Sequence, residues 1–211
     1  MGAGAGSYEP VDRPVVAVEP SAVMIAQRPG DAAPCVQAAA EHLPFADGAF
    51  DAATALLTVH HWSDWRAGLD ELIRVAPRRQ LVFTWAADAQ SHYWFIDEYL
   101  PFVTEFDDAY PTAPEIAAAL PGSRIIGLPV PADCSDGFFA AYWKRPEAYL
   151  DPGVRATIST FALGILDAGR VDDGLARLAA DLDSGAWQER HADLLEADEL
   201  DVGYRLVVAG A

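Results

Sequence analysis

The chain has 211 residues, of which 52% are hydrophobic, 10% aromatic and 22% charged. This composition excludes an intrinsically disordered protein and permits a large buried core. Fourteen lysines and arginines stand against 32 aspartates and glutamates, which gives a net charge of −18. Because such a charge repels nucleic-acid phosphates and the anionic face of a membrane, we expect neither as a partner.

The length fits one domain, and the cysteine content and the first residues indicate the compartment. Cys35 and Cys134 are too few for a disulfide framework, and no run approaches the roughly 20 apolar residues of a membrane span. The beginning of the chain has neither a basic segment nor an apolar signal core. We expect a cytoplasmic protein, and we predict no metal site.

Short apolar runs alternate with helical patterns over the first 90 residues, as consecutive parallel strands and crossover helices do. The predicted strands are Val15–Val18, Cys35–Gln37, Phe50–Thr58 and Leu81–Trp85. Apolar residues from Leu69 to Ala76 recur at helical spacing, which predicts an amphipathic helix over Trp65–Val75 that Pro77 ends. This half of the chain is typical of an α/β fold.

The rest of the chain combines helical patterns with two further strands. Aromatic residues in Ser91–Phe106 predict a second crossover helix, and a short helix is predicted at Pro114–Leu120 with Thr112 as its cap. Strands are predicted at Arg124–Val130 and Gly203–Ala209. These elements divide the chain into a core of residues 1–130, a helical insertion at 131–201 in a position to cap a site, and a final core strand at 202–211.

Three glycines at every second position open the chain, as Gly2, Gly4 and Gly6. Glycine lets a backbone turn tightly and approach a ligand closely. Glu19 follows the first glycine by 17 residues, near the ~20-residue spacing at which an acidic residue accepts hydrogen bonds from ribose hydroxyls. A carboxylate that ends a buried strand also needs a partner to offset its desolvation. The spacing predicts a site for a cofactor that contains ribose.

Further segments follow the glycines in a fixed order, namely Val18–Met24, Ala40–Asp51, His60–Trp62 and Glu71–Val75. The ordered series, over residues 2–87, resembles the small class I S-adenosylmethionine-dependent methyltransferases of the UbiE-like, type 11 kind. The resemblance implies a doubly wound, mostly parallel α/β sheet of the Rossmann-like kind. It also implies S-adenosylmethionine as the cofactor, bound across the carboxyl ends of the strands.

Carried over position by position, the resemblance implies a set of cofactor contacts. They are Gly2, Gly4 and Gly6 under the methionine part, Glu19 on the ribose, Pro20 and Met24 beside the adenine, backbone groups near Ala40 and Glu41 on the adenine, and Leu57 and Thr58 facing the methionine part. Many relatives have an aspartate where this chain has Ala39. Adenine recognition is therefore expected to depend on backbone groups or to be weaker.

His60 and His61 are the candidate catalytic residues, because imidazole titrates near neutral pH and can take a proton from a hydroxyl or carbon acid. The alternative for either is a structural hydrogen bond to loop backbone. Trp62 is expected to begin the wall between cofactor and substrate.

The aromatic segment from Asp136 to Leu150 supplies the candidate substrate-binding residues Phe138, Tyr142 and Trp143. The alternative is that these rings anchor the insertion.

These features predict methyl transfer to a small, apolar or aromatic metabolite. One alternative is a degenerate, non-catalytic methyltransferase-like domain, which the alanine at position 39 favours. The other is an NAD-dependent oxidoreductase, which is weakened because Ser7 stands where the third glycine of Gly-x-Gly-x-x-Gly belongs.

The beginning of the chain carries a further expectation. In the family that the sequence resembles, the glycine loop directly follows a central strand, whereas here Met1 stands where that strand would end. We therefore expect the sheet to lack its first strand. Exposed strand edges favour pairing with another chain, which makes a homodimer an expected partner state.

Overall fold

The computed structural model of the protein describes residues 1–86, 93–162, 164 and 166–210, without the side chains of residues 106–109. The chain forms two compact units. Unit 1 comprises Met1–Trp85, Tyr110–Gly127 and Arg205–Ala211, and unit 2 comprises Ala86–Ala109 and Leu128–Tyr204. This division differs from the predicted one mainly in residues 86–109, which the sequence analysis placed in the core.

Strands and helices alternate in the first part of the chain, and short helices follow. The strands are β1 Ala17–Val18, β2 Cys35–Val36, β3 Ala53–Leu56, β4 Gln80–Trp85, β5 Arg124–Gly127, β6 Val130–Pro131, β7 Glu199–Leu200 and β8 Tyr204–Ala209. The α-helices are α1 Ala22–Ala26, α2 Trp65–Val75, α3 Ala113–Ala119, α4 Pro152–Thr157, α5 Ser159–Ala162, α6 Ala168–Ser184, α7 Ala186–Arg190 and α8 Ala192–Glu196. Helical turns of other kinds lie at Val59–His61, Phe95–Tyr99, Pro101–Ala109 and Pro146–Leu150.

The main sheet has the strand order β3-β4-β8-β5. β3 and β4 are parallel, with Ala55 opposite Val82, and β5 runs antiparallel to β8. β1 and β2 form a separate parallel pair. The predicted mixed α/β fold with a mostly parallel sheet is confirmed.

Within the described residues, no strand pairs with the free edges of β1 and β3. The first residues bond to both strands instead. The amino group of Met1 donates to the Thr54 carbonyl at 2.6 Å, and the Ala3 amide donates to the Val18 carbonyl at 3.0 Å. These bonds bring the glycine loop to the ends of both strands.

Helix α2 has the bounds that the sequence predicts, and its start and packing show why. The Asp64 carboxylate accepts from the amides of Arg66 and Ala67, both at 3.1 Å, and so caps the helix. Leu69 and Leu72 face inward and are fully buried. The burial of each such side chain stabilises the folded state by about 1.5–3 kcal/mol. The helix thereby fixes the segment that precedes it, which carries the two histidines.

Unit 2 has an aromatic core of its own. The rings of Phe95 and Tyr149 stack with centroids 3.9 Å apart. The Tyr149 hydroxyl donates to the Phe139 carbonyl at 2.6 Å, and the Trp94 indole donates to the Trp143 carbonyl at 2.9 Å. Because these buried polar groups are hydrogen-bonded, the rings are fixed in position as well as buried.

The predicted crossover helix over Ser91–Phe106 is wrong. The structure forms a π-helical turn at Phe95–Tyr99 and a 3-10 segment at Pro101–Ala109, both in unit 2. Pro101 has no amide hydrogen to continue a helix, so the helical pattern breaks there. Ser91 lies outside the described residues. No helix in the described ranges is long and apolar enough to cross a bilayer.

Candidate active site

Three predicted cofactor residues of unit 1, together with Trp85, lie at the carboxyl ends of strands. Glu19 comes directly after β1, Leu57 and Thr58 come directly after β3, and Trp85 ends β4. In open α/β folds, ligands bind outside these strand ends. These residues therefore lie where such folds bind their ligands.

The glycine loop takes a backbone shape that favours glycine at each of its three positions. Gly2, Gly4 and Gly6 have φ values of +64°, +52° and +98°, in the left-handed region that other residues seldom adopt. A Cβ on Gly2 would lie 1.9 Å from Oγ1 of Thr58. The loop therefore approaches the end of β3 too closely for any larger residue at this position.

Glu19 connects the glycine loop to the end of β1. Its side chain is buried, with the residue 7% exposed. One carboxylate oxygen accepts from the Gly4 amide at 2.8 Å, and the other accepts from the Ser21 amide at 2.9 Å. A carboxylate has about four acceptor sites, so two sites remain for hydroxyl groups of a ligand.

Leu57 is held in a strained conformation at the end of β3. Its φ of +50° is the one positive value among the described non-glycine residues. This conformation costs roughly 1–2 kcal/mol. The Leu57 amide donates to the Phe83 carbonyl at 2.8 Å, which helps to hold it. Strain of this kind persists where the surrounding structure imposes it, and it is concentrated at functional sites.

The two histidines lie side by side in different surroundings. Their ring centroids are 3.8 Å apart, and the His60 ring also lies 4.5 Å from Trp85 and 5.7 Å from Tyr110. Burial, aided by His61, lowers the pKa of His60 to about 3. Burial also lowers the pKa of His61, although the charge of Glu19 opposes this shift. His61 is solvent-exposed and His60 is partly buried.

Comparison with known proteins decides the family. Residues 1–83 match the family model described as a methyltransferase domain. The structure is similar to that of a candidate methyltransferase from an antibiotic biosynthesis pathway of Anabaena variabilis, with 32% identity and a TM-score of 0.91. The match covers 100% of this chain and 89% of that one. The chain belongs to the type 11 family of class I S-adenosylmethionine-dependent methyltransferases.

A more distant likeness supports the fold alone. The YcgJ protein of Bacillus subtilis is 18% identical, with a TM-score of 0.50, and the match covers 98% of this chain and 87% of that one. The comparison with curated proteins gave no match.

The four residues predicted to contact the adenine have different surroundings. Met24 is 36% exposed, and its methyl group would lie 3.4 Å from a Cβ on Gly4. Pro20 is exposed and accepts a hydrogen bond through its carbonyl. Ala40 is buried. The Glu41 carboxylate accepts from Ser63 and Asp64 at the start of α2, so this side chain supports that helix.

The tryptophan proposed to begin the substrate wall packs on α2. Ring atoms of Trp62 lie 2.3 Å from the position of a Cβ on Gly68, so the indole covers that glycine. This contact gives Trp62 a packing role in the methyltransferase.

The three predicted substrate-binding rings of unit 2 each have contacts within that unit. Trp143 is fully buried and donates its indole hydrogen to the Val130 carbonyl at 2.9 Å. The Phe138 ring lies 4.8 Å from the Tyr204 ring, and the Arg145 guanidinium lies 4.9 Å from the Tyr142 ring. The contacts of Trp143 are those of a core residue, whereas Phe138 and Tyr142 are partly exposed.

The structure brings several predicted residues together and adds two that the sequence analysis missed. Gly2 leaves no room for a Cβ beside Thr58, the Gly4 amide donates to Glu19, and the Glu19 charge acts on His61. The missed residues are Trp85 and Tyr110. The sequence could have indicated Trp85, since it ends a strand parallel to β3. No sequence pattern pointed to Tyr110. No group of three or more metal-ligating side chains occurs in the described part of the methyltransferase.

Proposed function

We propose that this methyltransferase binds S-adenosylmethionine at the glycine loop and Glu19, and methylates a small, apolar or aromatic metabolite. The observation that carries the proposal is the Glu19 carboxylate, which is buried, bonded to the Gly4 amide and left with acceptor sites for hydroxyls. These acceptor sites fit a ribose, because its two vicinal hydroxyls can both donate to one carboxylate. S-adenosylmethionine supplies an activated methyl group on a sulfonium when bound.

The chain's own residues bind this cofactor and orient it. Glu19 accepts hydrogen bonds from the ribose hydroxyls, and the glycine loop lies under the methionine part. Leu57 and Thr58 face the same part from the end of β3, with Leu57 held in place by its amide bond to Phe83. Methyl transfer depends mainly on the alignment of donor and acceptor in a site that excludes water. It depends less on side-chain chemistry. Rigid backbone contacts of this kind supply that alignment.

The acceptor side of unit 1 supports an aromatic or apolar metabolite. The His60, Trp85 and Tyr110 rings lie 4.5–6.0 Å from one another. Stacked or edge-on rings favour another aromatic group as a neighbour. The relative from Anabaena variabilis is described as part of an antibiotic biosynthesis pathway, which supports a small metabolite. The Phe138 and Tyr142 rings remain proposed substrate contacts.

His61 is the proposed base for an acceptor that must lose a proton. It is exposed, and its lowered pKa keeps it neutral at pH 7. Its ring nitrogen then takes the proton released by a hydroxyl or carbon acceptor. His60, with a pKa of about 3, is too weak a base for this role.

The test is a calorimetric titration of the full chain with S-adenosylmethionine, S-adenosylhomocysteine and NAD. We expect the first two to bind and NAD to fail. Losing hydrogen bonds to a charged group costs ~1.5–3 kcal/mol, so Glu19→Ala should weaken binding by about ten- to a hundredfold. Glu19→Gln keeps one acceptor oxygen and should lose less.

The matched control is Glu196→Ala, which removes an exposed glutamate of unit 2. Its dissociation constant should equal that of the wild type. An unchanged constant in a folded Glu19→Ala protein, or tight binding of NAD, would contradict the proposal.

A further inference from the structure

A buried ion pair joins Glu9 to Arg28 beside the glycine loop. The two side chains are 15% and 5% exposed, whereas those of the nearby pair Asp12–Arg13 are 65% and 67% exposed. Burying two charges costs desolvation energy unless they are paired and fully hydrogen-bonded. The pair therefore needs further partners, and the structure provides them.

Both charged groups also bond to the backbone of Ala33, just before β2. The Ala33 amide donates to the Glu9 carboxylate at 2.9 Å, and the Arg28 guanidinium donates to the Ala33 carbonyl at 2.9 Å. Glu9 lies on the segment that leaves the glycine loop, and Arg28 follows α1. The three residues close a ring of contacts that ties these segments together.

The guanidinium of Arg28 also reaches the glycine loop. It donates to the Gly4 carbonyl at 3.4 Å, while the Gly4 amide donates to Glu19 at 2.8 Å. A Cβ on Gly6 would lie 3.4 Å from Arg28 and 3.7 Å from the Glu9 carboxyl carbon. Both polar groups of Gly4 are therefore held by charged side chains, and the ion pair lies against Gly6.

The loop has no helix to stabilise its shape. In many nucleotide-binding folds a glycine loop leads straight into a helix, which fixes it. Here residues 7–16 contain no helix, and Pro10 and Pro14 lack the amide hydrogens that one would need. The Glu9–Arg28 pair supports the loop instead of a helix.

We propose that Glu9 and Arg28 are positioning residues, which hold the glycine loop in the shape that receives the methionine part of the cofactor. This inference rests on the proposed function of the loop as the cofactor site. Breaking the pair frees the Gly4 carbonyl and loosens the loop. Affinity should then fall for ligands that carry the methionine part, and much less for adenosine, which lacks it.

The test is a calorimetric titration of the full chain with S-adenosylhomocysteine and with adenosine. Loss of hydrogen bonds between charged groups predicts about tenfold or greater weakening of S-adenosylhomocysteine binding in Glu9→Gln and Arg28→Met. Adenosine affinity should change by less than about threefold. Arg28→Lys keeps the charge and should recover part of the loss. The control Asp12→Asn breaks an exposed pair and should bind both ligands like the wild type.

Each other outcome overturns the inference. Equal losses for the two ligands would show general damage to the unit. Normal binding in a folded Glu9→Gln protein would show that the pair does not position the loop. Failure of Glu9→Gln to fold would make the pair a support of the whole unit. If the wild type binds neither S-adenosylmethionine nor S-adenosylhomocysteine, the proposed function itself fails, and this inference fails with it.

Discussion

His60 and His61 are neighbouring residues of one type in different surroundings. His60 packs among Trp85 and Tyr110, and burial keeps it neutral. His61 is exposed to solvent, and the charge of Glu19 acts to raise its pKa, against the effect of burial. A catalytic base must exchange protons with water. A residue in the wall between cofactor and substrate must not exchange protons with water. These different surroundings support the proposal that His61 is the base and that His60 lines the acceptor side of the site.

This assignment predicts a difference in catalysis between two matched variants. His61→Gln should lower kcat by about 10²- to 10⁴-fold, because it removes general base catalysis. His60→Gln should change the KM for the acceptor more than kcat. Methyl transfer should be measured with whichever acceptor a screen of small aromatic hydroxyl compounds identifies. Equal loss of kcat in both variants would contradict the assignment.

The pH dependence of the same reaction provides a second readout of that prediction. Because the pKa of His61 is lowered from 6.5, its base form persists to a lower pH than in free histidine. The wild-type rate should therefore fall only below about pH 6.5. This acidic fall should be absent from the residual rate of His61→Gln.

His60 should also make stability depend on pH. Its pKa is about 3 when folded and near 6.5 when unfolded. Between these values the unfolded chain binds a proton that the folded chain does not, so the free energy of unfolding falls as pH falls. The slope from this residue is about 1 kcal/mol per pH unit between pH 6 and 4.

Urea unfolding at several pH values measures that slope. His60→Gln should flatten the curve by this amount. Parallel curves for wild type and His60→Gln would show that His60 is not buried as described.

At the scale of elements, local signals fixed some boundaries and not others. The bounds of α2 were predictable because Asp64 caps it and its apolar residues recur at helical spacing. The predicted strand over Phe50–Thr58 is longer than β3, partly because Leu57 adopts a positive φ that ends the strand. That conformation depends on tertiary contacts, so no local pattern could reveal it.

Helix α6 contains a glycine that packing requires. A Cβ on Gly174 would lie 2.4 Å from the Tyr99 carbonyl oxygen and 2.6 Å from the Leu100 side chain. Helix propensity alone favours alanine over glycine by about 0.8–1 kcal/mol. The close backbone contact should reverse that gain, so Gly174→Ala should destabilise the protein by about 1–3 kcal/mol.

The measurement is the urea midpoint of Gly174→Ala beside Gly30→Ala, where an added Cβ meets no atom within 4 Å. The second variant should change stability little. A higher midpoint in Gly174→Ala would show that α6 does not approach Tyr99 so closely.

At the scale of the whole molecule, the sequence predicted the α/β fold, the family and the grouping of Gly4 with Glu19. It did not predict the support around them. Glu9 and Arg28 are 19 residues apart in the chain and are joined only by the fold. Tyr110 reaches His60 from a segment with no motif. Sequence patterns identify residues near a motif, whereas contacts between distant segments need the folded structure.

The central claim is that unit 1 holds the cofactor at the strand ends described above. Hydrogen exchange of the full chain with and without S-adenosylhomocysteine tests it most directly. Ligand at about 100 times its dissociation constant stabilises the bound state by ~2.7 kcal/mol. Exchange should slow in Gly2–Gly6, Glu19–Met24 and Leu57–His61, while α6 should exchange as before. Protection confined to α6 and its neighbours in unit 2, or no protection at this concentration, would contradict the account.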